Sequence, residues 1–318
     1  MSGPVGAAVP VRKALVTGAG GFVGRRLAAA FREAGWSVVA AGRTPWADGP
    51  GLDVADAGAV RRLLAAERPD AVVNLAGIAH RRLEGSAADV YDAVNHRGVR
   101  HLLDASLAAE VPRFVHFSSA SVYGEEGRRG ALREDAALRP VGPYAASKAR
   151  AEEACAAADP TLACVVMRPP VIWAPGRVRD VGKRAYLPGT RLLLEVTGRP
   201  PRHSLVGLEN VVRFALLAAE GVAPGVYNVT DGEPYAQPEI AAVIGALDGV
   251  SRRVRVPAAL VPLPLAAARL VPGGTGRVVR SHAWKLLRGL ELDVSRAAAA
   301  GFVPRGRLDD LLRPPPAS

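Results

Sequence analysis

The stretch VTGAGGFVGRR, Val16–Arg26, joins an apolar burst, KALVTG (13–18), to a segment with helical periodicity that begins near Phe22. A glycine-rich turn between a strand and a helix lets backbone N–H groups approach a phosphate, while the positive end of the helix faces the same charge. A plain tight turn is the simpler alternative. The common G-x-G-x-x-G spacing would need glycines at 18, 20 and 23, but position 23 is Val23. Gly18, Gly21 and Gly24 fit instead, behind Thr17, as T-G-x-x-G-x-x-G.

Working outward, strand-length apolar bursts recur with helical stretches between them. SVVAAG (37–42), AVVNLAG (71–77), RFVHFSS (113–119) and LACVVMRP (162–169) are separated by predicted helices at about 56–66, 86–109 and the segment after Val141. Near-continuous apolar strands alternating with helices are the mark of a parallel sheet covered on both faces. The expected fold is therefore α/β, a Rossmann-type doubly wound parallel sheet. Past Arg168 the rhythm breaks into a Pro- and Gly-rich stretch, and regular elements return at 204–230. A smaller C-terminal substrate-binding region is expected from 169–202 and 231–312, with 11–168 as the Rossmann domain, 203–230 returning to it, and 1–10 and 313–318 as flexible tails.

Bulk properties exclude several function classes. The chain has 318 residues, 49% hydrophobic and 22% charged, which is ordinary globular composition. The longest apolar candidate, AALVPLPLAAARLVP, is interrupted by Pro262, Pro264 and Arg269, so no membrane partner is expected. The leader does not resemble a secretion signal, and a cytoplasmic protein is expected. Cys155 and Cys164 give neither a disulfide framework nor a zinc site, and the six histidines show no ligand spacing, so no metal is predicted. The net charge of +11 is spread evenly over both halves, and only 5% of residues are aromatic. That pattern disfavours a nucleic-acid partner.

The stretch VGPYAASKARAEE, Val141–Glu153, places Tyr144 and Lys148 four residues apart, on one face of a helix. An ordinary surface helix would do the same. Lys, however, is scarce here: only Lys13, Lys148, Lys183 and Lys285 stand among 41 basic residues. The glycine spacing together with Y-x-x-x-K resembles the short-chain dehydrogenase/reductase superfamily. Further landmarks follow in that superfamily's order: Asp53 in LDVAD, NLAG at 74–77, Asn95 in VNHRGVRHLLDAS, and Ser119 in FSSASVYG, 25 residues before Tyr144. The later segments MRPPVIWAPG, RHSLVGLENVVRFAL and LELDVSRAAAAGFVP resemble the extended branch, the NAD(P)-dependent nucleotide-sugar epimerase/dehydratase family. The resemblance spans about residues 12–312.

That resemblance implies an enzyme with Tyr144 as acid/base, Lys148 as its tuner and ribose ligand, and Ser119 as the positioning hydroxyl. A free phenol is a poor base at neutral pH, and a neighbouring ammonium favours its ionised form. Implied cofactor contacts are Gly18, Gly21, Phe22, Val23, Gly24, Arg43, Asp53, Val54, Leu75, Ala76, Gly77, Asn95 and Pro170, besides Tyr144 and Lys148. Implied substrate contacts are His80, Ser119, Ser121 and Arg202, the last resembling the arginine that grips a substrate pyrophosphate. For His80 a surface histidine is the alternative, and for Arg202 a solvated arginine.

The end of the second predicted strand offers Gly42 and Arg43 in place of the carboxylate that binds NAD ribose hydroxyls. NADP(H) is expected, with NAD(H) as the alternative. Ala120 and Ser121 stand where 4,6-dehydrating relatives carry an Asp-Glu pair, which disfavours that dehydration. The expected reaction is 4-keto reduction of a nucleotide sugar, in an enzyme that is a homodimer as relatives often are. Alternatives are 4-epimerisation with tightly bound NAD, reduction of a non-sugar ketone, and a non-catalytic NADP-sensing regulator.

Overall fold

The computed structural model of the chain describes residues 11–44, 49–79, 87–124, 130–262 and 283–313. Its largest sheet is built from β1 (Lys13–Thr17), β2 (Ser37–Ala41), β3 (Ala71–Asn74), β4 (Arg113–Phe117), β5 (Ala163–Arg168) and β10 (Gly225–Asn228), in the order β10-β5-β4-β3-β1-β2. β1 pairs in parallel with β2 and β3, and β3 in parallel with β4. The expected Rossmann-type α/β architecture is what the chain adopts. The strand order places β1 beside β3 and makes the sequence reverse direction there, which is where such sheets open a crevice at their C-terminal ends.

The chain forms two compact units. One comprises the residues up to Phe117 with Ala146–Val166 and Ala215–Gly225; the other comprises Ser118–Ala145, Met167–Phe214 and the residues from Val226 onward. In the first unit, β3 is buried throughout and β1 and β4 at all but their first residue, as strands covered on both faces must be. Three helices bury their apolar stripes in this unit: α1 (Phe22–Glu33) through Leu27, Ala28 and Phe31, α2 (Ala57–Glu67) through Val60 and Leu64, and α4 (Gly98–Ala108) through Val99, Leu102 and Leu103. The single long helix expected over 86–109 is instead α3 (Ala87–Asp92), a π-helical turn at Ala93–Arg97, and then α4.

In the second unit the strands pair in twos. β6 (Val171–Trp173) runs parallel to β9 (Leu205–Gly207), β7 (Leu193–Thr197) runs parallel to β12 (Arg253–Pro257), and β8 (Arg202–His203) runs antiparallel to β11 (Tyr235–Ala236). Trp173, Leu193, Leu205, Tyr235 and Leu308 pack in one core with Ile240 and Ile244 of α8 (Gln237–Asp248). Gln237, fully buried at the start of α8, satisfies backbone that would otherwise be stranded: its Oε1 accepts from Val196 N–H at 2.9 Å, and its Nε2 donates to Leu194 O at 2.7 Å and Arg184 O at 3.0 Å.

Asp231 is the polar centre of this unit. Its buried carboxylate accepts from Trp173 Nε1 (2.6 Å), Gly207 N (2.7 Å), Asn210 Nδ2 (2.7 Å) and Tyr235 OH (2.9 Å). Burial raises its pKa even though four donors act in the opposite direction. Removing the acceptor strands four buried donors at once. Asp231→Ala is predicted to lower the free energy of unfolding by about 3 kcal/mol or more, and chemical denaturation measures it. A loss below about 1 kcal/mol would remove Asp231 from this role.

Candidate functional site

The turn between β1 and α1 is shaped by close approach. Gly18 has φ 67°, and a Cβ there would lie 2.8 Å from the carbonyl carbon of Leu75. At Gly24 a Cβ would stand 2.3 Å from Gly18 O, so only glycine lets the first turn of α1 rest on the loop. Gly20, by contrast, faces open space, which accounts physically for the 18–21–24 spacing. Gly21 precedes Phe22 and Val23 as the N-cap of α1 with no side-chain cap, and the first turn contains no acidic residue. Such a helix start offers backbone N–H groups to an anion.

Six of the residues singled out in the sequence, Gly18, Arg43, Asp53, Val54, Ala76 and Gly77, line one cleft in the first unit. Leu52, Ile78, Ala79 and Val94 complete its lining, and sequence reasoning missed all four. Arg43 is exposed, directly beyond β2. The chain returns beside that strand end, Leu52 N–H donating to Gly42 O at 2.8 Å, and this return brings Leu52 to Val54 to the cleft. Asp53 Oδ1 accepts from Ala55 N at 2.9 Å, which fixes its side chain.

The wall formed by Ala76–Ala79 is held by Asn95. Buried within the π-helical turn, Asn95 accepts from Ile78 N through Oδ1 at 2.7 Å and donates to Ile78 O through Nδ2 at 3.0 Å. Nδ2 also donates to Ser147 Oγ at 3.0 Å, tying the turn to α5 (Gly142–Ala156). Arg150, one turn further along α5, reinforces the tie through Nε to Asp92 Oδ1 at 3.0 Å. A π-turn inserts one extra residue into a helix and turns a side chain out of register. Here it delivers Asn95 to both the loop and α5.

Lys148 follows Ser147 and is only 4% exposed. Its Nζ donates to Phe117 O at 2.6 Å, and a Cβ placed on Gly77 would lie 3.5 Å from that Nζ, so the ammonium stands directly behind the cleft wall. Burial lowers its pKa to about 8, against the opposing pull of Glu152 and Cys155.

Ser119, Ser121, Tyr144, Pro170 and Arg202 belong to the second unit. Ser119 adopts an extended backbone and caps a 3-10 turn at Ala120–Tyr123, its Oγ accepting from Ser121 N at 3.2 Å, which leaves the hydroxyl proton available to donate. Ser118 N and Ala120 N donate to Met167 O and Pro169 O, so this segment runs beside the one holding Pro170. Ser121 Oγ is buried without a hydrogen-bond partner among the described residues. Tyr144 is half-buried in the first turn of α5, one turn before Lys148. Arg202 is half-exposed: its Nη2 donates to Pro234 O at 2.8 Å, and its guanidinium lies 3.7 Å from Glu233 and 3.8 Å from Glu291. His80 lies outside the described residues.

A buried ammonium with a depressed pKa costs stability. The unfolded chain takes up the proton first, so the penalty is absent above the ordinary value of 10.5, grows as pH falls through the window down to about 8, and stays in full below it. That window corresponds to on the order of 3 kcal/mol, from which the lost bond to Phe117 must be subtracted. Lys148→Met is therefore predicted to melt no lower than the wild type at neutral pH, and thermal unfolding measures it. A large drop in melting temperature would mean that the ammonium is held for stability.

Comparison with known proteins follows the same lines. The family described as "NAD dependent epimerase/dehydratase family" matches residues 14–229. The chain is 31% identical over 257 residues to the 2-alkyl-3-oxoalkanoate reductase of Stenotrophomonas maltophilia, covering 76% of this chain and 77% of the relative. To the dTDP-4-dehydrorhamnose reductase of Streptomyces griseus it is 30% identical over 221 residues, covering 68% and 70%. The solved structure of MoeE5 in complex with UDP-glucuronic acid and NAD superposes with a TM-score of 0.70 at 25% identity, covering 94% of this chain and 96% of that one. The chain belongs to the NAD dependent epimerase/dehydratase family and is an enzyme of the extended short-chain dehydrogenase/reductase type.

Proposed function

We propose that this enzyme is an NADP(H)-dependent reductase that acts on the 4-keto group of a nucleotide-linked sugar, with Tyr144 as the proton donor. The observation that carries the reading is the buried Lys148 ammonium, one helical turn after Tyr144 and directly behind the cleft wall. Three features of the cleft fit a dinucleotide: a loop with no room for side chains at Gly18 and Gly24, an uncapped helix start without an acid, and Arg43 with Asp53 at the rim. When bound, the dinucleotide supplies a hydride to the carbonyl carbon. Tyr144 gives its phenolic proton to the oxygen, Lys148 lowers the cost of the phenolate left behind, and Ser119 donates a hydrogen bond that orients the same oxygen. Gly21, Phe22, Val23, Leu75, Asn95 and Pro170 complete the proposed cofactor contacts, with His80, Ser121 and Arg202 on the substrate. For Arg202 to hold a phosphate, it must exchange two loose carboxylate contacts that are half-solvated and weak.

Two relatives that match most of this chain bear the name reductase, which supports net reduction over epimerisation. One of them is a reductase of 2-alkyl-3-oxoalkanoates, so reduction of a non-sugar ketone is the second reading. Oxidation of NADPH in the presence of UDP- and dTDP-linked 4-keto-6-deoxy sugars, against a 2-alkyl-3-oxoalkanoate, separates the two. NAD that co-purifies with the protein and turnover without net dinucleotide consumption would replace reduction by epimerisation. The proposed enzyme is a homodimer, which sedimentation measures.

Tyr144→Phe is predicted to bind dinucleotide as the wild type does and to lose at least about a hundredfold in turnover, the scale of a positioned acid/base. Turnover near the wild-type value would eliminate the assignment. Arg43→Ala is predicted to lower the ratio of catalytic efficiencies with NADPH and NADH by about tenfold or more, since a charge-assisted bond to a 2'-phosphate is worth roughly 1.5–3 kcal/mol. An unchanged ratio would leave Arg43 without a role in cofactor choice.

A further inference from the structure

The cleft wall that Asn95 pins at Ile78 is pinned a second time, from underneath. Thr17, Asn74 and His116 are direct neighbours across β1, β3 and β4, one residue from each strand in a single row. All three are buried, His116 completely. Thr17 Oγ1 donates to Asn74 Oδ1 at 2.6 Å, and Ala76 N donates to both Asn74 Oδ1 (3.1 Å) and Thr17 Oγ1 (3.2 Å). Asn74 Nδ2 stands 3.2 Å from His116 Nδ1.

Donor and acceptor logic fixes every proton in this row. A backbone N–H can only donate, so the Asn74 atom that faces Ala76 N is oxygen, and the atom that faces His116 is the NH2 group. An amide NH2 can only donate as well, so His116 Nδ1 carries no proton and its hydrogen is on Nε2, which is buried with no hydrogen-bond partner among the described residues. A cationic imidazole would set an N–H against that NH2 and a second charge near Lys148. The histidine is thereby a neutral acceptor, held in one tautomer by its neighbours.

We propose that His116 is a positioning residue for the dinucleotide cleft: by accepting from Asn74 it fixes the amide's orientation, and the amide oxygen in turn fixes Ala76 and the wall that begins there. His116 itself does not reach the cleft lining. Without an acceptor at Nδ1, the Asn74 NH2 loses its partner, and the amide is oriented only through its oxygen, by Thr17 and by Ala76 N itself. The inference rests on the reading of the cleft as the dinucleotide site, and it assigns a function to a histidine that carries no proton in the reaction.

Two substitutions separate positioning from packing. Asparagine places Oδ1 close to where Nδ1 of histidine stands but leaves a void, whereas leucine fills the volume and has no acceptor. NADPH and NADH are titrated into the full-length wild type, His116→Asn and His116→Leu. His116→Leu is expected to weaken binding about tenfold, the scale of one or two hydrogen bonds, and His116→Asn by no more than about threefold. A residue needed only for packing would give the reverse order, and that order, or unchanged binding by His116→Leu, overturns the proposal. Should His116→Leu fail to fold, nitrogen-15 NMR of the wild-type histidine side chains decides: a proton on Nε2 and none on Nδ1 is expected, and the opposite tautomer or a doubly protonated ring overturns the proposal. A wild type that binds neither dinucleotide would instead sink the reading of the cleft, with the tautomer still measured on its own.

Discussion

The site depends on keeping one ammonium group out of water. Isolated charges are not buried without cost, and among the described residues the Lys148 Nζ donates one hydrogen bond, to Phe117 O, to offset the loss of hydration. What makes the arrangement durable is the rigidity of everything around it. α5 is tied to the π-turn by Ser147 and Arg150, the loop after β3 is tied to the same turn through Ile78, and the strand ends beneath are joined by the polar row from Thr17 to His116. Each tie joins elements distant in sequence, so the ammonium is held by the tertiary fold and not by its own helix alone. A group kept in an unfavourable environment by surrounding structure is the usual form in which stability is exchanged for function.

Much of this was legible from residues alone. Buried parallel strands read as apolar runs, and the five bursts from KALVTG to LACVVMRP fall on β1 to β5 within one or two residues at their starts. The glycine pattern was legible too, because steric exclusion at Gly18 and Gly24 admits no other residue. The π-turn was not, since a one-residue insertion hardly alters the apolar periodicity of the segment that contains it. Leu52, Ile78, Ala79 and Val94 escaped notice for a related reason: a returning loop brings Leu52, the loop after β3 brings Ile78 and Ala79, the π-turn brings Val94, and their side chains carry no chemical mark. Ser147 stood beside a residue that was recognised, but its bond to Asn95 depends on a helix-to-helix register that spacing does not encode.

The two anchors on the cleft wall differ in kind. Asn95 holds Ile78 by both backbone groups, as a strand partner would, and substitutes for the ladder that β3 loses when it ends at Asn74. The row from Thr17 to His116 lies within the sheet and holds Ala76 at the point where the chain leaves it. Between them, a segment with no regular structure of its own has few conformations left. Preorganisation of that kind reduces the ordering cost that ligand binding would otherwise carry.

The interleaving of the two units has a consequence for how the chain comes into being. The chain crosses from one unit to the other within α5, within β5 and within the helix at Leu208–Glu220, so neither unit is a continuous run that could be cut out and folded alone. The edge strand β10 is not complete until Asn228, 60 residues after β5 ends at Arg168. Until then the nascent sheet carries an open edge at β5, and such edges are prone to pairing with foreign strands. A growing chain is therefore exposed to misassociation at that edge from the completion of β5 at Arg168 until β10 ends at Asn228, about one-fifth of its synthesis.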